Sequence, residues 1–196
     1  MGRDKASIVV GGISLAERAA RALRAVAYPV LAVGGAVDTG LDPATDRGEG
    51  PLAALVDGAD ALRARGVVAP VLLVACDMPF VDPEVLRALA TAFGDARAPA
   101  LGDARAPWLS WMERVPRAEP LHPRAVVPVV HGRDQPLCAC YAPEAVDVAR
   151  ALVAEGKRAM RDLLAAIDVV RVPGDPQSLL DVDTPEELNA ILDAPA

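Results

Sequence analysis

The sequence predicts an α/β fold: three layers, doubly wound around a mostly parallel sheet. Two observations carry that expectation. Strand-like and helix-like segments alternate along the chain, which implies βαβ units. Hydrophobic residues make up 53% of the 196 residues but aromatics only 3%, so the core must be built from Ala, Val and Leu, which favours layered α/β packing over an aromatic-rich β-sandwich.

The strand candidates come first. AYPVLAV, ending at Val33, is apolar and β-branched, and Ala69–Cys76 is an unbroken apolar run, as expected of a strand covered on both faces. Segments 125–130, 137–141 and 167–172 complete the set. The helices announce their starts. Ser14 and Glu17 form a capping box ahead of an apolar stripe through Leu15, Ala19, Ala22, Leu23 and Val26. Pro51 opens a second helix that Gly66 closes, Asp82 and Pro83 open a third, and Pro143 a fourth. Thr184, Pro185 and Glu187 mark the start of a last one.

A chain of this length makes one domain, able to bury about 70% of its unfolded surface without a disulfide or structural metal. One segment interrupts it. Residues 94–101 (GDARAPAL) recur as 102–109 (GDARAPWL), opening a Pro-rich stretch that also holds Trp108 and Trp111. Residues 94–124 therefore read as an insertion that loops out, too short in its repeat to be a solenoid.

Charge and cysteine content exclude several classes. The formal net charge is −7, without the basic stripe of a nucleic-acid binder. No apolar run approaches the ~20 residues of a membrane span, and the N-terminus lacks a signal core. Three cysteines, Cys76, Cys138 and Cys140, in apolar stretches fit a reduced, cytoplasmic chain in which they act as small buried hydrophobes. Neither His122 nor His131 belongs to a nucleophile constellation, and His131, next to Gly132, reads as a turn residue.

Four stretches carry the chemistry. In Ala75-Cys76-Asp77-Met78-Pro79-Phe80 an apolar strand ends in a carboxylate, and ligands of open α/β sheets bind outside the carboxyl ends of strands. A carboxylate there can hold Mg²⁺ against a phosphate, and because Asp82 already serves as helix cap, Asp77 is left without a structural role. In Asp181-Val182-Asp183-Thr184-Pro185, alternation puts both aspartates on one side of an extended segment, where Asp183 could complete a metal site. Gly48-Glu49-Gly50-Pro51-Leu52 lets the backbone approach a ligand at a helix N-terminus. Lys5 lies in Met1-Gly2-Arg3-Asp4-Lys5 and acquires meaning only in this company.

Together MGRDKA (1–6), VGG (10–12), GEGPLAAL (48–55), ACDMPF (75–80), QPLCACY (135–141), GKRAMRDLL (156–164) and DVDTPEEL (181–188) resemble the molybdenum cofactor guanylyltransferase family, in order and rough spacing across nearly the whole chain. The resemblance implies a nucleotidyltransferase, Rossmann-like fold and transfer of GMP from GTP to molybdopterin or the molybdenum cofactor. It also implies Mg²⁺, a cytoplasmic location, and molybdenum-insertion proteins and molybdoenzymes as partners, with no nucleic acid and no membrane. It gives Lys5 the nucleotide phosphates, Gly50, Pro51 and Leu52 the guanine pocket, Asp77 the Mg²⁺, Asp183 a place near metal and cofactor, Gln135 and Pro136 the pterin side, and Arg158 or Arg161 the anionic acceptor. Two departures stand out. The family's first strand and glycine-rich loop have no counterpart, so the expectation is a sheet with two unpaired edges and an upstream start. Asp181 and Asp183 replace the usual Asn residues, as in the related cytidylyltransferases, so CTP remains an alternative to GTP, and a non-catalytic nucleotide binder a second.

Overall fold

A computed structural model describes residues 5–10, 12–35, 39–97 and 124–182. The elements in chain order are a 3₁₀ turn Lys5–Ser7, β1 (Val9–Val10), β2 (Ile13–Ser14), α1 (Leu15–Arg24), β3 (Leu31–Val33), β4 (Asp42–Ala44), α2 (Pro51–Ala64), β5 (Val71–Val74), α3 (Pro83–Arg97), β6 (Ala125–Val130), β7 (Arg133–Asp134), β8 (Cys138–Tyr141), α4 (Pro143–Ala154), α5 (Met160–Ala166) and β9 (Val169–Pro173).

The caps form as the residue types dictate. The Ser14 hydroxyl accepts the Glu17 N–H at 3.1 Å, while the Glu17 carboxylate accepts from Arg21 Nε at 2.8 Å, one turn on. Asp82 Oδ1 accepts the N–H groups of Glu84 (2.7 Å) and Val85 (3.0 Å) at the start of α3. Two residues after α2, Gly66 turns the chain at φ 79°, a conformation in which a Cβ would be strained.

The layers follow from strand alternation. Val126, Val130, Cys138 and Cys140 face one core, shared with Leu86, Leu89 and Phe93 of α3 and with Ala22 of α1. Ala125, Val127, Ala139 and Tyr141 face the opposite core, with Leu52, Leu55 and Val56 of α2, Ala145 and Ala149 of α4 and Leu163 of α5. The sheet is covered on both faces, which is the three-layer α/β arrangement.

Its pairing is mixed. β3–β4 and β6–β9 are parallel, but β8 lies between β5 and β6 and runs antiparallel to both. The reversal is local in origin. His131 (φ 49°) and Gly132 (φ 76°) form a two-residue turn between β6 and β7, which pair Val130 with Arg133, so the chain doubles back before β8 begins. Both turn residues have the positive φ that such hairpins need, and His131 is the turn residue its neighbour Gly132 predicts. The five-stranded sheet runs β5-β8-β6-β7, with β9 beside β6, and β3-β4 forms a separate pair.

The repeat begins differently from its reading as a loop. Residues 94–97 continue α3 to Arg97, one isolated glycine being tolerable in a helix. The remainder of the expected insertion, Trp108 and Trp111 included, and the helix expected from Thr184 lie outside the described residues.

Candidate active site

The site forms where β5 ends. Ala75 N–H still donates to Leu137 O at 2.8 Å, then the chain leaves the sheet through Cys76 to Asp77, because Pro79 can donate no ladder bond. Asp77 carries its carboxylate partly exposed, its side chain 25% accessible, while Met78 and Pro79 behind it are buried.

Three other segments gather at this point. Lys5, in the opening 3₁₀ turn, brings Nζ to 3.6 Å from Asp77 Oδ2, with 42% of its own side chain accessible. An exposed pair of this kind contributes about 0–1 kcal/mol. Val182 N–H donates to Asp77 O at 2.8 Å, and Val182 is fully buried, so the D-V-D stretch is pinned to the strand end with Asp181 exposed beside it. Asp183, the next residue, lies outside the described residues. Gln135, half-buried, lies in the turn that leads into β8, two residues before Leu137, whose carbonyl accepts the Ala75 N–H. Gln135 N–H donates to Pro128 O (2.8 Å), its carbonyl accepts from Cys138 N–H (3.1 Å), and Pro136 O accepts the buried Tyr141 hydroxyl at 2.7 Å. That turn is held by backbone, leaving the Gln135 side chain out of the ladder's bonding.

Gly50, Pro51 and Leu52 form a second cluster. Gly50 precedes α2 at φ 95°, and a Cβ there would come within 3.5 Å of Arg158 O. That same carbonyl accepts Leu52 N–H at 3.4 Å, and the Arg158 guanidinium binds Glu49 Oε2 at 2.9 Å and Val153 O at 2.9 Å. Arg158 therefore fastens the GEGPL loop to the turn after α4, and Arg161 is exposed. Pro51 and Asp77 both line one large cavity, which places the two clusters on a common rim. Among the described residues no group of three His, Cys, Asp or Glu side chains gathers to hold a metal. Cys138 and Cys140 are buried, and burial pushes the Cys138 thiol up to about 12, so it packs as a neutral hydrophobe.

A carboxylate, an ammonium and glycine-flanked backbone at the carboxyl edge of an α/β sheet are groups that can meet phosphates by positioning and charge rather than through a covalent nucleophile, and the class of the chain is that of the NTP transferase domains. The MobA-like NTP transferase domain matches residues 1–172, and the chain belongs to that family. Among curated relatives, it is 26% identical over 152 residues to a probable molybdenum cofactor guanylyltransferase of Bacillus cytotoxicus, covering 74% of this chain and 61% of that protein. It is 37% identical over 93 residues to one of Pelotomaculum thermopropionicum, covering 44% of this chain and 43% of that protein. The chain thus spans less than two thirds of the length of either. Among solved structures, molybdopterin-guanine dinucleotide biosynthesis protein A of Archaeoglobus fulgidus superposes with a TM-score of 0.64 at 21% identity, over 96% of this chain and 89% of that one. 2-C-methyl-D-erythritol 4-phosphate cytidylyltransferase of Thermus thermophilus does so at 0.59 and 16% identity, over 95% and 91%. Likenesses at these identities show the fold. No described helix is long and apolar enough to cross a membrane.

Proposed function

We propose that this nucleotidyltransferase moves GMP from GTP onto the terminal phosphate of molybdopterin or its molybdenum-loaded form, releasing pyrophosphate. The observation that carries the reading is the meeting of Lys5, Asp77 and the 181–182 segment at the end of β5, in a chain whose named relatives are molybdenum cofactor guanylyltransferases. The acceptor phosphate oxygen attacks the α-phosphorus in line, and the bond to the leaving pyrophosphate breaks. Lys5 exchanges its contact with Asp77 for the nucleotide phosphates. Gly50, Pro51 and Leu52 line the base pocket, with Gln135 and Pro136 on the pterin side and Asp183 near the metal.

The donor set fits Mg²⁺. Asp77 offers one partly exposed carboxylate, and no third protein donor gathers among the described residues, which matches an ion that takes one or two carboxylates and fills its shell with phosphate oxygens and water. Bound there, Mg²⁺ would supply charge neutralisation across the phosphates. Asp181 and Asp183 in place of the family's Asn residues favour CTP as a second reading. Pyrophosphate release with molybdopterin and either GTP or CTP separates them: GTP-selective turnover is expected, and CTP-selective turnover would replace the guanylyl reading.

A further inference from the structure

The loop that leads into α2 has little in its own sequence to fix its shape. Gly48 and Gly50 take positive φ, 70° and 95°, and many backbone conformations are open to such residues. None of residues 46–51 is buried, so no side chain anchors the loop in a core before Leu52. Polar contacts with two different elements fix it instead. From α2, the Asp57 carboxylate grips Arg47 twice: Oδ2 accepts the backbone N–H at 3.1 Å, and Oδ1 meets the guanidinium at 2.8 Å. The Asp57 side chain is only 12% accessible, so the anchor is itself packed in place. From the turn after α4, Arg158 Nη2 binds Glu49 Oε2 at 2.9 Å and the Arg158 carbonyl accepts Leu52 N–H at 3.4 Å. Arg158 is fixed in turn, since its Nη1 donates to Val153 O at 2.9 Å and to Lys157 O at 2.8 Å. Between the two anchors, Asp46 Oδ1 accepts Gly48 N–H at 2.8 Å. The N–H groups of Arg47, Gly48 and Leu52 are thus taken, and those of Glu49 and Gly50 have no acceptor among the described residues.

We propose that Asp57 and Arg158 are positioning residues for nucleotide selectivity, acting through the backbone of residues 47–52 rather than by touching the base. The inference rests on the reading of Gly50, Pro51 and Leu52 as the base pocket. A base is told from its rivals by the donors and acceptors on its edge, and a site whose own groups are fixed rejects the wrong base because those groups are left unpaired. A loop ordered in advance also spares the ligand the cost of ordering it. Released from either anchor, the same glycine-rich backbone re-forms around other bases, so the preferred nucleotide loses most.

The test compares the full chain with Asp57→Ala, Arg158→Gln, Arg47→Gln and Arg47→Lys, the last of which keeps a cation on Asp57. Hydrogen exchange without nucleotide reports the loop's order at the Gly48 and Leu52 amides, whose acceptors none of these substitutions removes. Both amides should exchange about tenfold faster in Asp57→Ala and in Arg158→Gln. In Asp57→Ala, KM for the preferred of GTP and CTP should rise about tenfold while kcat stays within about twofold. The ratio of kcat/KM between the two nucleotides should fall about tenfold in Asp57→Ala and Arg158→Gln. Arg47→Gln should shift the same way and Arg47→Lys should match the wild type. The proposal is overturned if a selective wild type keeps its ratio in either anchor variant, if the two amides exchange at the wild-type rate, if exchange speeds up across the whole chain alike, or if Arg47→Lys behaves as Arg47→Gln does. A wild type without preference between the nucleotides would bring down the base-pocket reading and this inference with it, so the two failures are told apart. The Arg47 side chain is 45% accessible, so its two variants keep the test intact should Asp57→Ala fail to fold.

Discussion

Asp77 is fixed by its backbone and left available by its side chain. Its carbonyl anchors Val182, while its carboxylate pairs with the Lys5 ammonium at 3.6 Å. Asp77→Asn should therefore leave the melting temperature nearly unchanged, because an exposed pair contributes little, yet lower turnover by at least ~10²-fold, about 3 kcal/mol. Steady-state rates and a thermal melt on the same sample check both halves. Cys138 gives a prediction in pH. Burial raises its pKa from 9.0 to about 12, so the unfolded chain loses this proton first. Stability is fully present below about pH 9 and declines as pH rises toward 12, at up to ~1.4 kcal/mol per unit. Denaturant midpoints between pH 8 and 10.5 should fall more steeply for the wild type than for Cys138→Ala, and parallel slopes would contradict the assignment. At this scale the sequence was informative where a residue has a local job: Asp82 is the cap its place before Pro83 predicts. It was silent on Arg158, whose link to Glu49 joins segments more than a hundred positions apart.

Among the elements, those with strong local signals stand where the sequence puts them. Segment 125–130 is β6 to the residue, and the helices at Pro51, Pro83 and Pro143 start on those prolines. Among the elements that were missed, β1, β2, β4 and β7 are two or three residues long and exist through their partners, and α5 is a helix of seven residues. Pro43 even sits within β4, tolerable because the β3 register turns its nitrogen away from β3. The order of β8 between β5 and β6 is likewise a tertiary fact, and only the His131-Gly132 turn hints at the reversal. Packing at α2 gives a further prediction. A Cβ on Gly58 would meet Val33 Cγ2 at 2.8 Å, and the β-branched valine has few rotamers to escape into. Gly58→Ala should cost about 1–3 kcal/mol through overpacking, despite the better helix propensity of alanine; a higher melting temperature would show that the α2–β3 contact is loose.

For the whole molecule, the division of labour is between an inner apolar frame and a polar rim. Two cores pack on opposite faces of the sheet, and the segments carrying Lys5, Gly50, Gln135 and Asp181 hold the residues we propose for the chemistry. The motif order revealed the family before any coordinates. The lack of a counterpart to the family's first strand led to the expectation of two unpaired edges, and among the described residues β3–β4 does stand apart from the five-stranded sheet. The most direct measurement of the central claim is calorimetric titration of GTP, with CTP and ATP as controls, into the wild type and Asp77→Asn in the presence of Mg²⁺. Selective GTP binding by the wild type that loses its Mg²⁺ dependence in Asp77→Asn is the predicted result; equal binding of all three nucleotides, or none, would contradict the guanylyl reading.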